Sequence, residues 1–312
     1  MDHLSEVHGV RVRTIGARGE APAPPVWPGW IPLIALPAAV CFFRARLEPW
    51  QFMWLLSIAL FFGCKWETWF EARAAGVRAG LGRSLAYLFL WPGMDAPAFL
   101  DTNRDVDRVP GKEWLAATAK TVAGCALIWF AAHRALSEKT LLVGWIGMLG
   151  LVLVLHFGAF HLISLLWRAM GVNAQPIMQA PASATSLGEF WGKRWNLGFR
   201  QLTYGLVFKP VRERFGVASA TLGAFLVSGF IHDFVISFPA RGGYGLPTAY
   251  FLLQGVGVLF ERSAPGKRLG TSQGMRGWFF VVLWAGLPAF GLFHPIFIRR
   301  VILPFLAAIG SL

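Results

Sequence analysis

Charge is scarce in this 312-residue chain: 14% of its residues are Asp, Glu, Lys or Arg, against 55% hydrophobic. A soluble domain carries about 25% charged residues, so a globule wetted on every side is excluded. Acids are scarcer still, 16 against 29 bases, for a formal charge of +13. Cysteine is limited to Cys41, Cys64 and Cys125, each in or beside an apolar run and none paired at metal or redox spacing. That excludes a disulfide framework and a zinc site, and leaves three small core residues. Strand-like alternation is missing, and no internal repeat or matching pair of broken helices supports a transporter built on inverted repeats. The "GLGRS" at 80–84 lacks the preceding strand of a phosphate-binding loop, and no G-x-S-x-G element marks a serine hydrolase. The first 25 residues have no apolar core of the kind a secretory signal needs and end in Pro and Ala, so they read as a mobile cytosolic tail.

What the chain does have is long apolar runs. About 20 apolar residues cross roughly 30 Å of hydrocarbon as a helix. Candidate spans are 26–43, 48–64, 114–132, 140–167, 216–238, 246–260 and 277–294, with a further one at 296–309. The expectation is an all-α integral membrane protein of about seven to nine transmembrane helices, with residues 26–312 forming one domain. Segments 65–113 and 168–215 are too polar to cross and too aromatic to float free, so interfacial amphipathic helices suit them. With the N-terminus in the cytosol, 21 of the 29 bases fall on the cytosolic side and seven on the other, with Lys120 inside a span. This follows the positive-inside rule, and it assigns the basic charge to topology and anionic lipid rather than to nucleic acid. The Ala/Gly/Arg-rich composition points to a bacterial inner membrane.

Two places hold chemistry. His232 lies 16 positions after Gly216 in "ATLGAFLVSGFIHDFVISF", where Asp233 is the other ionisable residue. A polar side chain that deep costs about 2–4 kcal/mol unless it faces a cavity or partner. Ser228 and Gly229, one turn earlier, leave room for a substrate beside the ring. The second place is "SATSLGEFWGKRWNLGFRQL", residues 183–202. Ser183, Thr185 or Ser186 caps a helix, with Glu189 three residues after Ser186 in capping-box spacing. Phe190, Trp191, Trp195 and Phe199 then form an aromatic stripe, and Lys193, Arg194 and Arg200 add positive charge. An interfacial amphipathic helix explains the stretch on its own.

Other polar residues have plainer readings. His156 and His161, five apart, sit about 140° apart on an α-helix, a poor geometry for one metal, and are expected as core or cavity lining. His294 and His133 read as boundary residues. Asp101, Asp105 and Asp107 have Arg104 and Arg108 beside them and no second acid-rich segment, so they read as a solvated loop. Lys120 is expected to snorkel to the cytosolic interface.

Taken together, "SLGEFWGKRWN", a histidine 36 positions after its asparagine within "SGFIHD", and the upstream "LFLWPGMD" at 88–95 resemble the membrane-bound O-acyltransferase superfamily, most closely its wax synthase-like branch. The resemblance spans about residues 85–295. It implies an acyltransferase-type membrane chamber in which an acyl group moves from a thioester to a hydroxyl, with His232 at the family's histidine and Asn196 at its asparagine. Lys193 stands where the branch more often has arginine, and Asp233 where it often has glutamate. Both keep their charge, while the compact chain leaves the size of the acceptor pocket open.

The chemistry follows from the residue types. An alcohol needs a base within hydrogen-bond reach as it attacks, a role worth roughly 100- to 10,000-fold. Imidazole suits it, and a donor such as the Asn196 amide can meet the oxyanion or orient the thioester. Lys193, Arg194 and Arg200 suit the phosphates of acyl-CoA, Trp191 or Trp195 offers a stacking face, and Ser228 lines the substrate space. Expected partners are acyl-CoA as co-substrate, an apolar alcohol or hydroxylated metabolite, and membrane lipid, with no metal or prosthetic group. The alternative is an acid-driven cyclisation or isomerisation of an apolar substrate by His232 and Asp233. Acyl length, acceptor identity and oligomeric state stay open.

Overall fold

The computed structural model of the protein describes residues 27–102, 106, 108–131 and 140–312. The expected tail at 1–25 lies outside the described residues, as do Arg104, Asp105, Asp107 and His133. Backbone amides in hydrocarbon must be satisfied within the chain, and every regular element among the described residues is helical. Three runs are long and apolar enough to cross a membrane: Leu141–Ala169, Leu197–Ala240 and Gly274–Leu292.

The other apolar helices are shorter or carry charge. Trp27–Phe42 has 16 residues and packs against Pro49–Ala74, where Gly63 lets the two backbones meet. A Cβ at Gly63 would come within 2.5 Å of the Leu33 Cα. Pro49–Ala74 runs ten residues past the expected end at 64, so residues 65–74 continue the same helix. One polar group there, the Lys65 ammonium, is satisfied inside the protein. Lys65 is 0% exposed, donates to the Gly93 carbonyl at 2.6 Å, and lies 3.1 Å from the centroid of the Tyr87 ring.

The segment 168–215 differs from a single interfacial element in a similar way. Its second half, Leu197 onward, joins the expected 216–238 span as one helical run to Ala240. Gly216, at φ 79°, ψ 176°, breaks that run where the span was expected to begin. A residue with a Cβ would be strained at this φ.

Several residues near the end of the given sequence pack into the protein core. Phe297, Ile298, Val301, Ile302 and Leu306 are buried in one cluster with Met53, Met148, Ile236 and Phe251. His294 sits between the run ending at Leu292 and the turn that starts at Pro295, as its boundary reading has it, and is buried there at 1% exposure. Its Nδ1 accepts the Phe297 N–H at 3.2 Å, capping the helical turn that follows.

Candidate active site

The stretch around Asn196 folds as a short helical piece, a break, and the start of the run that leads to Ala240, rather than as one amphipathic helix. Ser186 caps the first, its Oγ accepting the Glu189 N–H at 3.0 Å. Glu189 reaches back to the Thr185 N–H at 2.8 Å, one residue before the expected capping-box position. That bond, with Arg194, holds the Glu189 carboxyl below the usual carboxylate range. Phe190–Arg194 winds into a wide i→i+5 turn, Trp195 is extended, and Asn196 turns left-handed at φ 41°, ψ 63°. Asparagine is among the few residues that tolerate this conformation. Its Oδ1 accepts the Phe199 N–H at 3.3 Å and so caps Leu197–Thr203.

The break at 195–196 is braced from three sides. Gln179 N–H donates to Arg194 O at 2.8 Å, and Leu197 N–H to Ile177 O at 2.9 Å. Asp95, at the end of "WPGMD", accepts from Gln201 Nε2 at 3.0 Å, and Met94 packs against Gly198. Glu261 takes the N–H groups of Leu187 and Gly188 at 2.7 and 2.8 Å. The sequence reading named neither Glu261 nor Lys65. Each is an isolated charge at or beyond the end of an apolar run, where topology alone explains a charge.

His232 ends the regular part of Lys209–His232, and another wide turn, Asp233–Ser237, follows at once. Such turns inside α-helices are rare and collect at functional sites. His232 Nδ1 lies 2.7 Å from the Ser228 carbonyl oxygen. A carbonyl can only accept, so Nδ1 carries the hydrogen and Nε2 keeps its lone pair in the neutral ring. The ring packs against Phe251 with centroids 4.3 Å apart. Gly229 does not leave substrate space as expected. A Cβ there would come within 2.7 Å of the Thr248 Cα, so Gly229 serves the contact between two helices.

Two cavities meet at His232. One, of ≈ 290 Å³, is lined by His232, Ser228, Asn196, Trp191 and Trp195, with Arg200 and Arg262. The other, of ≈ 340 Å³, shares His232, Trp191, Trp195 and Phe251, and is otherwise apolar, with Val281, Leu292 and Phe293 among its walls. The buried Gln254 receives the Trp191 indole N–H at 3.4 Å, which helps hold the shared wall.

The remaining candidates fall elsewhere. Lys193 is exposed and lines neither cavity. Arg194 is bound by Glu189 at 2.6 Å and by the carbonyls of Gln179 and Ala180, and it faces a third, polar cavity. Asp233 turns to the start of Leu246–Arg262, where it accepts the N–H groups of Gly245 and Thr248 at 2.9 and 3.1 Å and the Thr248 hydroxyl. Arg262 supplies a cation at the first cavity that the sequence reading did not select. Its place just past the 246–260 span was the available signal. Among the described residues, no group of three or more His, Cys, Asp or Glu is arranged to hold a metal ion.

Residues 174–253, which contain both Asn196 and His232, match the model of the membrane bound O-acyl transferase family. That match covers about a quarter of the chain, and the relatives to which the chain is similar are acyltransferases by name. The chain is 29% identical over 146 residues to the probable long-chain-alcohol O-fatty-acyltransferase 7 of Arabidopsis thaliana, covering 42% of each protein. It is 37% identical over 102 residues to the long-chain-alcohol O-fatty-acyltransferase of Simmondsia chinensis, covering 30% of this chain and 29% of the relative. Similarity also extends to the acyl-CoA–sterol O-acyltransferase 1 of Arabidopsis thaliana, 34% over 82 residues, covering 24% of each. The matched stretches span less than half the length of each of these relatives.

Proposed function

We propose that the protein is a membrane-bound O-acyltransferase that moves an acyl group from acyl-CoA to the hydroxyl of an apolar alcohol. The observation that carries this reading is the position of His232, on the wall between a cavity bearing two arginines and a cavity that is almost wholly apolar. Two substrates of unlike character can then meet at one imidazole. The relatives' names, which pair fatty acyl groups with long-chain alcohols or sterols, point the same way.

In the proposed reaction the thioester lies in the first cavity, with Arg200 and Arg262 near its phosphates. The alcohol lies in the second. Nε2 of His232 takes the hydroxyl proton as the oxygen attacks the thioester carbonyl. The tetrahedral oxyanion is met by the Asn196 amide NH₂, since the Asn196 oxygen already caps a helix. Collapse breaks the carbon–sulfur bond, and the imidazolium returns its proton to the departing CoA thiolate. Ester and free CoA are the products. The apolar walls keep water from competing for the acyl group.

The acid-driven alternative calls for a protonated His232 as proton donor with the Asp233 carboxyl group beside it. Three donors engage the Asp233 carboxylate at the start of Leu246–Arg262, which supports a positioning role instead. We further propose that the chain crosses the membrane about seven to nine times as a single domain, with its N-terminus in the cytosol. The relatives named above are plant proteins and lend nothing to a bacterial inner membrane. Supplying membranes with labelled acyl-CoA and a panel of alcohols tests the reaction: ester formation with the intact protein and its loss in His232→Ala support it, and turnover without any thioester contradicts it.

A further inference from the structure

The third cavity, of ≈ 490 Å³, lies behind the Phe190–Asn196 strip and is unlike the two at His232. Lys120, His156, His161, Arg168, Arg194 and Glu113 all line it. The sequence separates these residues by function, yet the fold gathers them. The helix holding both histidines winds as an i→i+5 turn over Leu153–Ala159. Residues five apart then fall close to one face, which brings His156 and His161 to the same cavity. Lys120 lines the cavity too, with its Nζ 5.7 Å from the centroid of Phe157.

The charges do not cancel. Glu113 is bound by Arg168 at 2.7 Å, and Arg194 by Glu189 at 2.6 Å. Among the described residues Lys120 has no acid of its own in the cavity, because the single lining carboxylate is already engaged. Three buried nitrogens of lining residues lack a hydrogen-bond partner: His156 Nδ1, His161 Nε2 and Arg168 Nε. The nearest acid to His161 Nε2 is Glu113, at 3.8 Å and beyond hydrogen-bond reach. Buried polar atoms are normally partnered, and a donor-rich wall with one excess positive charge calls for an acceptor-rich anion.

We infer that this cavity binds a phosphate group, at a site separate from the acyl-transfer chamber and independent of what reaction occurs there. The division is built into the strip itself: Trp195 lines both cavities at His232, while its neighbour Arg194 lines the phosphate cavity. Lys120 supplies the charge, the two histidines and Arg168 supply directed donors, and the Gln175–Ala180 segment forms the rim. The phosphate belongs either to a phospholipid headgroup or to a small soluble molecule.

The full-length protein in phosphatidylcholine nanodiscs tests this by thermal unfolding against inorganic phosphate, with chloride at matched ionic strength as reference. Native mass spectrometry of the protein extracted from phosphatidylglycerol-containing membranes provides the second arm. Saturable stabilisation by phosphate, with half-saturation weakened at least tenfold in Lys120→Gln and His156→Gln and unchanged in Lys120→Arg and His232→Ala, supports the site for a small phosphate. A retained phosphatidylglycerol molecule that is lost in Lys120→Gln supports it for a headgroup. Lys120→Arg also controls for folding, since it keeps the charge and length. No saturable phosphate effect together with no retained phospholipid overturns the inference. So does an effect of equal size in Lys120→Gln that unfolds at the wild-type temperature in chloride.

Discussion

Glu261 Oε2 accepts the Leu187 N–H at 2.7 Å across 74 positions of sequence, and Oε1 of the same carboxylate accepts the Gly188 N–H at 2.8 Å. One side chain, 4% exposed, thereby pins the start of the Asn196 stretch to the helix that carries Phe251. Burial raises the Glu261 carboxyl above the ordinary carboxylate range, and the two N–H donors pull it back. Glu261→Gln places an NH₂ donor against an N–H donor and is expected to cost about 2 kcal/mol, in line with hydrogen bonds to charged groups. Unfolding by denaturant in micelles measures it. A change under about 0.5 kcal/mol, the range of ordinary surface substitutions, would show that the clamp is unimportant.

Asn196 caps a helix, and the proposed reaction gives its amide NH₂ a second job that a substitution can separate from the first. Asn196→Asp keeps the left-handed preference and the capping oxygen but removes the NH₂ donor. It is expected to leave stability within about 1 kcal/mol and to slow ester formation roughly 100- to 1,000-fold, the size expected for losing an oxyanion donor. Ester formation near the wild-type rate in Asn196→Asp would reduce Asn196 to a helix cap.

Lys65 holds "WPGM" in place through the Gly93 carbonyl. Lys65→Met fills similar volume without the donor and strands a buried acceptor. The expected loss of stability is about 1–3 kcal/mol, with Tyr87 still buried. Thermal midpoints of the two proteins in the same detergent decide it. Equal midpoints would mean that the Gly93 carbonyl finds another donor.

The Glu189 carboxyl is held down chiefly by the Thr185 N–H and then by Arg194. A carboxyl with a depressed folded pKa contributes stability above its unfolded value, taken as 4.5, and loses it as pH falls through the folded value. The wild-type thermal midpoint is therefore expected to drop below pH about 4.5 more steeply than that of Glu189→Gln. Parallel pH profiles for the two proteins would contradict this.

Much of the candidate site was legible because its residues break local rules. His232 interrupts an apolar run, and Asn196 follows an aromatic, cationic cluster, so each stands out in one dimension. The three-dimensional errors share a cause as well. Periodicity assumes 3.6 residues per turn, yet Phe190–Arg194 and Leu153–Ala159 wind more widely. Widening at the first, followed by extended Trp195, ended the aromatic stripe, and at the second it brought His156 and His161 together. Lys65, Lys120 and Glu261 were hidden for a different reason. A charge near the end of an apolar run has a sufficient explanation in topology, and its inward partner, a carbonyl, an aromatic ring or a pair of N–H groups, lies 28 to 74 positions away.

The most direct measurement is the rate of ester formation from labelled acyl-CoA and a long-chain alcohol in membranes holding equal amounts of folded wild-type and His232→Ala protein. The expected result is a loss of roughly 100- to 10,000-fold in the variant, as removal of a general base requires. Equal rates in the two membranes would contradict His232 as the base, and with it the meeting of two substrates at its imidazole.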